Sequence, residues 1–154
     1  MFLDNIPVHN LDESDFFVAE RIENCAPLNF RGSHCHNFYE LLFFMETGPG
    51  ESHSIDFTKH PLQSNQIFLI RPGQVHTMKL KEQKGFLFAI NRDYFERLCL
   101  HIESYADYSF PDILTLPGSE APAVRRIADL IYAEHEGLHR KSLLNSYIHA
   151  LITH

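Results

Sequence analysis

Short apolar segments separated by turn residues fill the first ninety or so residues of the chain. The segments are rich in Phe, Ile, Leu and Val, which favour strands in stretches of this length. Turn residues cluster at 47–50, 59–65 and 71–73. The pattern predicts strands at 16–23, 39–47, 52–57, 66–71, 75–80 and 85–91. Evenly spaced short strands of this kind are typical of a β-barrel or a β-sandwich.

The segment 40–45 is apolar on both faces of the predicted strand, apart from Glu40. A strand that buries both faces lies between the barrel interior and a second layer, which is either a helix or another subunit. An ionised Glu40 in such an interior would need a metal ion, a basic partner or a water-filled cavity.

After Asn91 the apolar period changes from two to about 3.6, which indicates helices. Asn91 is a suitable N-cap for a helix over 92–102. Residues 103–117 carry no clear period and are predicted to form a loop.

Two amphipathic helices are predicted in the last third of the chain. Ser119 is a plausible N-cap for the first, with Pro122 in its first turn and Gly137 at its end. The second begins near Arg140, and no Gly or Pro ends it before His154. The natural polypeptide is therefore predicted to continue. The apolar stripes at 124–132 and 143–151 are most simply the faces that pack on the barrel.

Composition favours one folded domain, since the chain has 154 residues with 44% hydrophobic content. The formal charge of −7 argues against a phosphate-binding face, so DNA binding by this segment alone is not expected. No signal peptide or membrane-spanning run is visible, and the predicted location is the cytoplasm.

Three cysteines, at positions 25, 35 and 99, form no CxxC pair and no even disulfide framework. They are predicted to be reduced thiols. Cys35 lies between two histidines and would point away from them on a strand, so packing is the favoured interpretation of its role.

The strongest chemical pattern is a set of three histidines and one carboxylate. His34, His36 and Glu40 stand at i, i+2 and i+6, so on one extended strand their side chains leave the same face. His76 follows a Pro-Gly turn. Such a set suits zinc, nickel, iron or manganese. Equally, these residues could line a polar pocket and form hydrogen bonds with an organic ligand or with each other.

The segments that carry this pattern resemble a known family. HCHNFYE and PGQVH resemble the two cupin motifs, and together with FYELLFF, SIDF, IFLIR and GFLFAI they resemble the amino-terminal domain of AraC-type transcription regulators. The resemblance covers about residues 15–153. It implies a mainly β fold, namely a cupin double-stranded β-helix or jelly-roll-like barrel, followed by two or three α-helices. The implied parts are an N-terminal arm at 1–15, the barrel at 16–91 and C-terminal helices at 92–154.

The resemblance also implies a function. The domain would bind a small-molecule effector, such as a sugar or an aromatic compound, and would form a homodimer through its C-terminal helices. DNA would be contacted only through a helix-turn-helix domain that follows this chain. The arm at 1–15 could cover the pocket or fray at the surface. No catalysis is required of such a domain.

Two other functions are compatible with the sequence. A stand-alone metal-dependent cupin enzyme, such as a dioxygenase or an isomerase, would use His34, His36, Glu40 and His76 as metal ligands. A carbohydrate-binding module is disfavoured, because the chain has no Trp and no secretion signal.

The predicted ligand-binding residues are His34, His36, Phe38, Glu40 and His76. Phe38 is included because its parity on the strand matches that of His36 and Glu40, whereas most other Phe residues are expected to pack in the core. Arg71 could pair with an anionic ligand or be an exposed turn charge. The other histidines, at 9, 53, 60, 101, 135, 139, 149 and 154, are predicted to lie in loops, turns and helix surfaces.

Overall fold

The computed structural model describes residues 6–12, 16–25, 32–100, 111–138 and 140–153. The strands are β1 Val8–His9, β2 Phe17–Arg21, β3 Cys35–His36, β4 Tyr39–Glu46, β5 Ser52–Ile55, β6 Thr58–Pro61, β7 Gln66–Ile70, β8 His76–Met78, β9 Lys84–Ile90 and β10 Ile113–Thr115. A 3₁₀ turn spans Ile22–Asn24, and the helices are α1 Arg92–Leu100, α2 Ala121–Glu136 and α3 Lys141–Thr153. The mainly β fold with C-terminal helices confirms the prediction.

The strands form two antiparallel sheets and one short parallel pair. The larger sheet has the order β10-β7-β4-β9-β2, and the smaller sheet has the order β6-β5-β8. Strand β1 pairs in parallel with β3, so residues 8 and 9 of the predicted arm lie against the segment that carries the histidine motif. Residues 1–5 and 13–15 of the predicted arm lie outside the described residues.

Strand β4 is buried on both faces, as predicted. Leu41 and Phe43 pack into a core that includes residues of all three helices. Leu42 and Phe44 point to the opposite side, into a second core formed with β7 and β8. The second layer over β4 is therefore helical.

The two amphipathic helices direct their apolar stripes into the chain's own core. The buried stripe residues are Val124, Ala128, Ile131, Leu144, Ile148 and Leu151. Helix α2 ends before Gly137, as predicted, but its N-cap is Glu120 and not Ser119. The carbonyl of Pro117 already accepts hydrogen bonds from the backbone N–H groups of Glu120 and Ala121, so a turn before the helix satisfies these donors without a Ser119 cap.

Helix α1 has the predicted cap, because the Asn91 side chain accepts a hydrogen bond from the Tyr94 N–H at 3.1 Å. The predicted end of this helix and the first part of the predicted loop, at 101–110, lie outside the described residues. The loop prediction is wrong for β10, which pairs with β7 and forms one edge of the larger sheet. A three-residue strand has too little local pattern to be read from sequence.

The prediction of a break at 59–65 is wrong over strand β6. β6 forms a hairpin with β5, in which Ile55 pairs with Thr58. The two turn residues, Asp56 and Phe57, both have positive φ values of 46° and 67°, as a two-residue hairpin turn requires. No Gly marks this turn, and Lys59 and Pro61 of β6 are disfavoured in strands, so the local sequence did not indicate the hairpin.

Candidate functional site

A bend separates the two halves of the histidine motif. His36 ends β3, residues 37 and 38 form the bend, and Glu40 is the second residue of β4. The prediction of one extended strand is therefore wrong, yet the side chains still converge. His76, at the start of β8, joins them because its backbone pairs with that of His34 in an isolated antiparallel bridge.

Three of the four predicted metal ligands have their ligand atoms close together. His36, Glu40 and His76 each offer one atom, and these atoms lie within 4.8 Å of one another. The Nε2 atoms of His36 and His76 are 3.7 Å and 3.9 Å from the two carboxylate oxygens of Glu40. His34 lies beside this group, with its ring centroid 4.3 Å from that of His76.

The facing atoms of this group are buried without hydrogen-bond partners among the described residues. They are His36 Nε2, Glu40 Oε1 and His76 Nε2. Buried polar atoms in folded proteins are normally paired, so orphaned atoms that face one another call for a bound partner. Two imidazole nitrogens and a carboxylate oxygen fit a divalent transition metal such as zinc, nickel, iron or manganese.

Backbone carbonyls fix the tautomers of two of the histidines. The Nδ1 atom of His36 lies 2.8 Å from the carbonyl oxygen of Phe38, and that of His34 lies 3.3 Å from the carbonyl oxygen of Gly32. A carbonyl oxygen only accepts, so each Nδ1 carries the proton and each Nε2 keeps its lone pair.

Burial keeps the groups of the site uncharged. Desolvation lowers the pKa of His36 to about 4 and that of His76 to about 2, and it also lowers the pKa of His34. The same effect raises the pKa of Glu40 to about 8. Without a bound cation, the site therefore presents neutral imidazoles and a largely protonated carboxyl group at neutral pH.

A cavity of about 320 Å³ opens beside this group. His34, His36, Phe38 and Glu40 line it, and the Phe38 ring stacks on His36 at a centroid distance of 4.2 Å. His76 is not part of this lining, but its ring packs against that of His36, with the two ring centroids 5.0 Å apart. Four of the five predicted ligand-binding residues thus lie in one cavity wall.

The other walls come from three elements that the motif does not contain. Strands β2 and β9 contribute Val18, Glu20 and Leu87, and the segment after β1 contributes Asn10. No Lys or Arg occurs among the described residues that line the cavity. Its ionisable side chains are two carboxylates, the thiol of Cys25 and histidines.

The sequence interpretation missed two histidines of the site. His53 is fully buried on β5, and its Nε2 lies 2.9 Å from Nδ1 of His76, so its placement in a loop or turn was wrong. The alternation in Ser52–Ile55, which places His53 on the same face as Ile55, was the available signal. His9 lies in β1, lines the cavity and contacts the His34 ring at 5.1 Å; nothing in the local sequence marked it.

The remaining described histidines and Arg71 do not line the cavity. His60 is half-buried on β6, and His135 and His149 lie on helices α2 and α3. His101, His139 and His154 are outside the described residues. Arg71 forms an ion pair with Asp112, which leads into β10.

Comparison with known proteins identifies one family. The sequence model of the family described as the AraC-like ligand binding domain matches residues 16–152. No curated protein gave a significant match. None of the helices in the described ranges has the length and hydropathy of a membrane span.

Proposed function

We propose, from the premise that this chain belongs to the family of AraC-like ligand binding domains, that it senses a small-molecule effector for a DNA-binding transcription regulator. Domains of this family are typical of regulators and not of enzymes. The observation that carries the proposal is the cavity of about 320 Å³ beside the polar group of His36 and Glu40. Its volume lies within the range of pockets for small organic ligands.

The charges around the cavity favour an uncharged effector. Glu20 and Glu40 are the carboxylates of the described lining, and the imidazoles of His34 and His36 have lowered pKa values. An anionic ligand would be desolvated there without a counter-charge, at a large cost in free energy. A neutral sugar or a neutral aromatic compound could use the imidazole, amide and carboxyl groups as hydrogen-bond partners.

Pairs of similar ligands that differ in charge test whether the effector is uncharged. Each pair consists of a neutral sugar or phenol and its carboxylate counterpart, and binding to the chain is measured by calorimetry and by thermal unfolding. We expect a neutral member to bind and to raise the unfolding temperature, because ligand binding to the native state stabilises it. Tighter binding of the carboxylate counterpart would contradict the proposal.

Phe38 offers a test of the cavity itself. Phe38→Ala removes the ring that stacks on His36, so we expect the Kd for a bound effector to rise about fivefold to tenfold, as the loss of an aromatic contact of about 1 kcal/mol implies. Phe57→Ala is the matched control, since Phe57 is 73% exposed in the β5–β6 turn. Equal effects of the two substitutions would place the ligand elsewhere.

A metal-binding role is the second candidate, favoured by the three orphaned atoms of His36, Glu40 and His76. A bound ion with an open coordination position would supply Lewis-acid or redox chemistry, as an alternative dioxygenase or isomerase would need. Elemental analysis of protein purified without added metal or chelator tests this role. We expect stoichiometric zinc, nickel, iron or manganese in the wild type and in His60→Gln, and its loss in His36→Gln. Trace metal that reconstitution cannot raise would contradict the metal site.

We further propose that the domain forms a homodimer through the outer face of α2. The apolar stripe of this helix is buried in its own chain, whereas Leu130 is 47% exposed on the outward face. Two-fold association would present two DNA-binding domains to paired half-sites. Sedimentation velocity should show a dimer for the wild type and for Leu114→Glu, and a monomer for Leu130→Glu. A monomeric wild type, or a dimeric Leu130→Glu variant, would contradict this interface.

The sequence of the gene tests whether this domain belongs to a DNA-binding transcription regulator. A domain that senses an effector for a DNA-binding regulator acts through a DNA-binding domain, so we expect the gene to encode a helix-turn-helix domain in the same reading frame. A gene without such a domain would contradict the regulator context.

A further inference from the structure

His53 and His76 form a hydrogen-bonded pair of buried imidazoles. His53 lies on β5 and His76 on β8, and because His53 is opposite Met78, the two histidines are diagonal neighbours across the strand pair. The Nε2 atom of His53 is 2.9 Å from the Nδ1 atom of His76. The exposed fractions of the two residues are 0% and 2%.

The remaining nitrogen of each ring has no hydrogen-bond partner among the described residues. These atoms are Nδ1 of His53 and Nε2 of His76. Both rings are shielded from water, and burial favours the uncharged form of an imidazole. A neutral imidazole carries one N–H, so the two rings have two N–H protons between them. One of these protons lies in the hydrogen bond between His53 Nε2 and His76 Nδ1.

Only two arrangements of these protons are compatible with the contact. In the first, both protons are on Nε2: His53 donates to His76, and His76 turns its own N–H toward Glu40 Oε1, which lies 3.9 Å away. In the second, both protons are on Nδ1: His76 donates to His53 and turns a lone pair toward Glu40. His36 has no such choice, because its Nδ1–H is held by the Phe38 carbonyl.

We propose that His53 is a positioning residue whose tautomer is exchanged together with that of His76, so that this site presents an N–H donor when empty and a lone pair when it holds a metal ion. The exchange conserves protons. One proton leaves His76 Nε2, the shared proton moves from His53 Nε2 to His76 Nδ1, and one proton is taken up at His53 Nδ1. The second half of this inference rests on the proposed metal site, whereas the first half does not.

Nitrogen NMR of the free chain tests the first half. Long-range proton–nitrogen spectra of the histidine-labelled 154-residue chain show which nitrogen of each ring carries the proton, and His76→Gln and His53→Gln assign the signals. We expect both protons on Nε2 in the metal-free chain, since this arrangement turns the His76 N–H toward Glu40 Oε1 and leaves a lone pair, not an N–H, at the buried Nδ1 of His53. An Nδ1–H tautomer of His76 in the free chain would overturn the proposal.

Zinc titration tests the second half. In the zinc-loaded chain we expect both protons on Nδ1, and we expect His53→Leu to weaken zinc binding about tenfold or more, as the loss of a hydrogen bond to a ligating histidine does. His53→Gln keeps a donor and an acceptor at this position and should retain most of the affinity. His60→Leu, on the neighbouring strand, is the matched control and should bind zinc like the wild type.

The outcomes separate the two proposals. Absence of zinc binding in the wild type removes the metal site, while the spectra of the free chain still decide whether His53 donates to His76. Normal zinc affinity in a folded His53→Leu variant, checked by circular dichroism, would overturn the positioning role even if zinc binds.

Discussion

Three buried carboxylates among the described residues, Glu40, Glu51 and Glu134, differ in how their oxygens are paired. Those of Glu51 accept hydrogen bonds from the backbone N–H groups of Gly48 and Glu82, and those of Glu134 pair with Arg140. Among the described residues, the nearest polar partners given for Glu40 are histidine nitrogens at 3.7 Å and 3.9 Å, and its Oε1 atom has no hydrogen-bond partner there. Glu51 and Glu134 therefore stabilise the fold locally, whereas Glu40 is the carboxylate available to a ligand.

The thiol of Cys25 lines the same cavity, but it should not react as a nucleophile. Burial and the neighbouring Glu20 carboxylate raise its pKa to about 12, and the thiolate is the reactive form. With an aromatic disulfide reagent at mildly alkaline pH, we expect native chain to react only at the half-buried Cys35. Raising the pH toward 9.0, the usual pKa of a thiol, should leave Cys25 unreactive.

Variants at each cysteine assign the reaction. Cys35→Ser should abolish the native reaction, Cys25→Ser should leave it unchanged, and all three thiols should react after unfolding. A native reaction that disappears in Cys25→Ser would show that this thiol is more accessible and more acidic than its burial implies.

At the scale of elements, the central pair β4–β9 depends on one close backbone approach. Gly85 lies opposite Phe44, next to a register shift between Phe44 and Glu46. A Cβ atom on Gly85 would be 1.8 Å from the carbonyl oxygen of Phe43, and the backbone has a φ value of 156°. The irregularity in β4 is thus accommodated by a residue without a side chain.

Gly85→Ala should therefore disrupt this strand pair. We expect the free energy of unfolding to fall by on the order of 3 kcal/mol or more, because the Cβ atom meets backbone and cannot be relieved by a side-chain movement. Gly118→Ala is the control, since no atom lies within 4 Å of its added Cβ, and its effect should be within about 0.5 kcal/mol. Denaturant unfolding measures both, and similar stabilities of the two variants would contradict the close approach.

At the scale of the whole molecule, polar contacts supplement the apolar packing that joins the helices to the sheet. The Arg125 guanidinium on α2 donates to the Met45 carbonyl at 3.1 Å and to the Asn65 side chain at 2.9 Å. Arg21 on β2 pairs with Asp129 on the same helix. Helix α2 is therefore attached to the larger sheet at β4, at the residue before β7 and at the edge strand β2.

Removing the Arg125 contacts should loosen this attachment. Arg125→Ala leaves the Met45 carbonyl and the Asn65 amide oxygen without this donor, and we expect it to lower the free energy of unfolding by about 2 kcal/mol. Arg126→Ala, at the next and exposed position, should change it by less than about 0.5 kcal/mol. Equal melting temperatures of the two variants, measured by circular dichroism, would contradict a fastening role for Arg125.

Local pattern was sufficient for most of the fold. The long strands β4 and β9, the capped helix α1 and the helix end at Gly137 were predictable because alternation, helical period and capping residues act over a few neighbouring positions. The short strands β6 and β10 were not, because each is an edge strand that forms by pairing with its neighbour in the sheet and not through its own propensity.

The same division applies to the candidate site. The sequence by itself determined which residues could supply the chemistry, since the spacing of His34, His36 and Glu40 and the Pro-Gly turn before His76 are local features. Only the tertiary structure decided that His53 forms a hydrogen bond with His76, that β1 adds His9 to the cavity lining and that Glu40 is buried in the site. These facts depend on strand register and on the packing of distant segments, which set the distances between side chains and the desolvation that fixes their protonation.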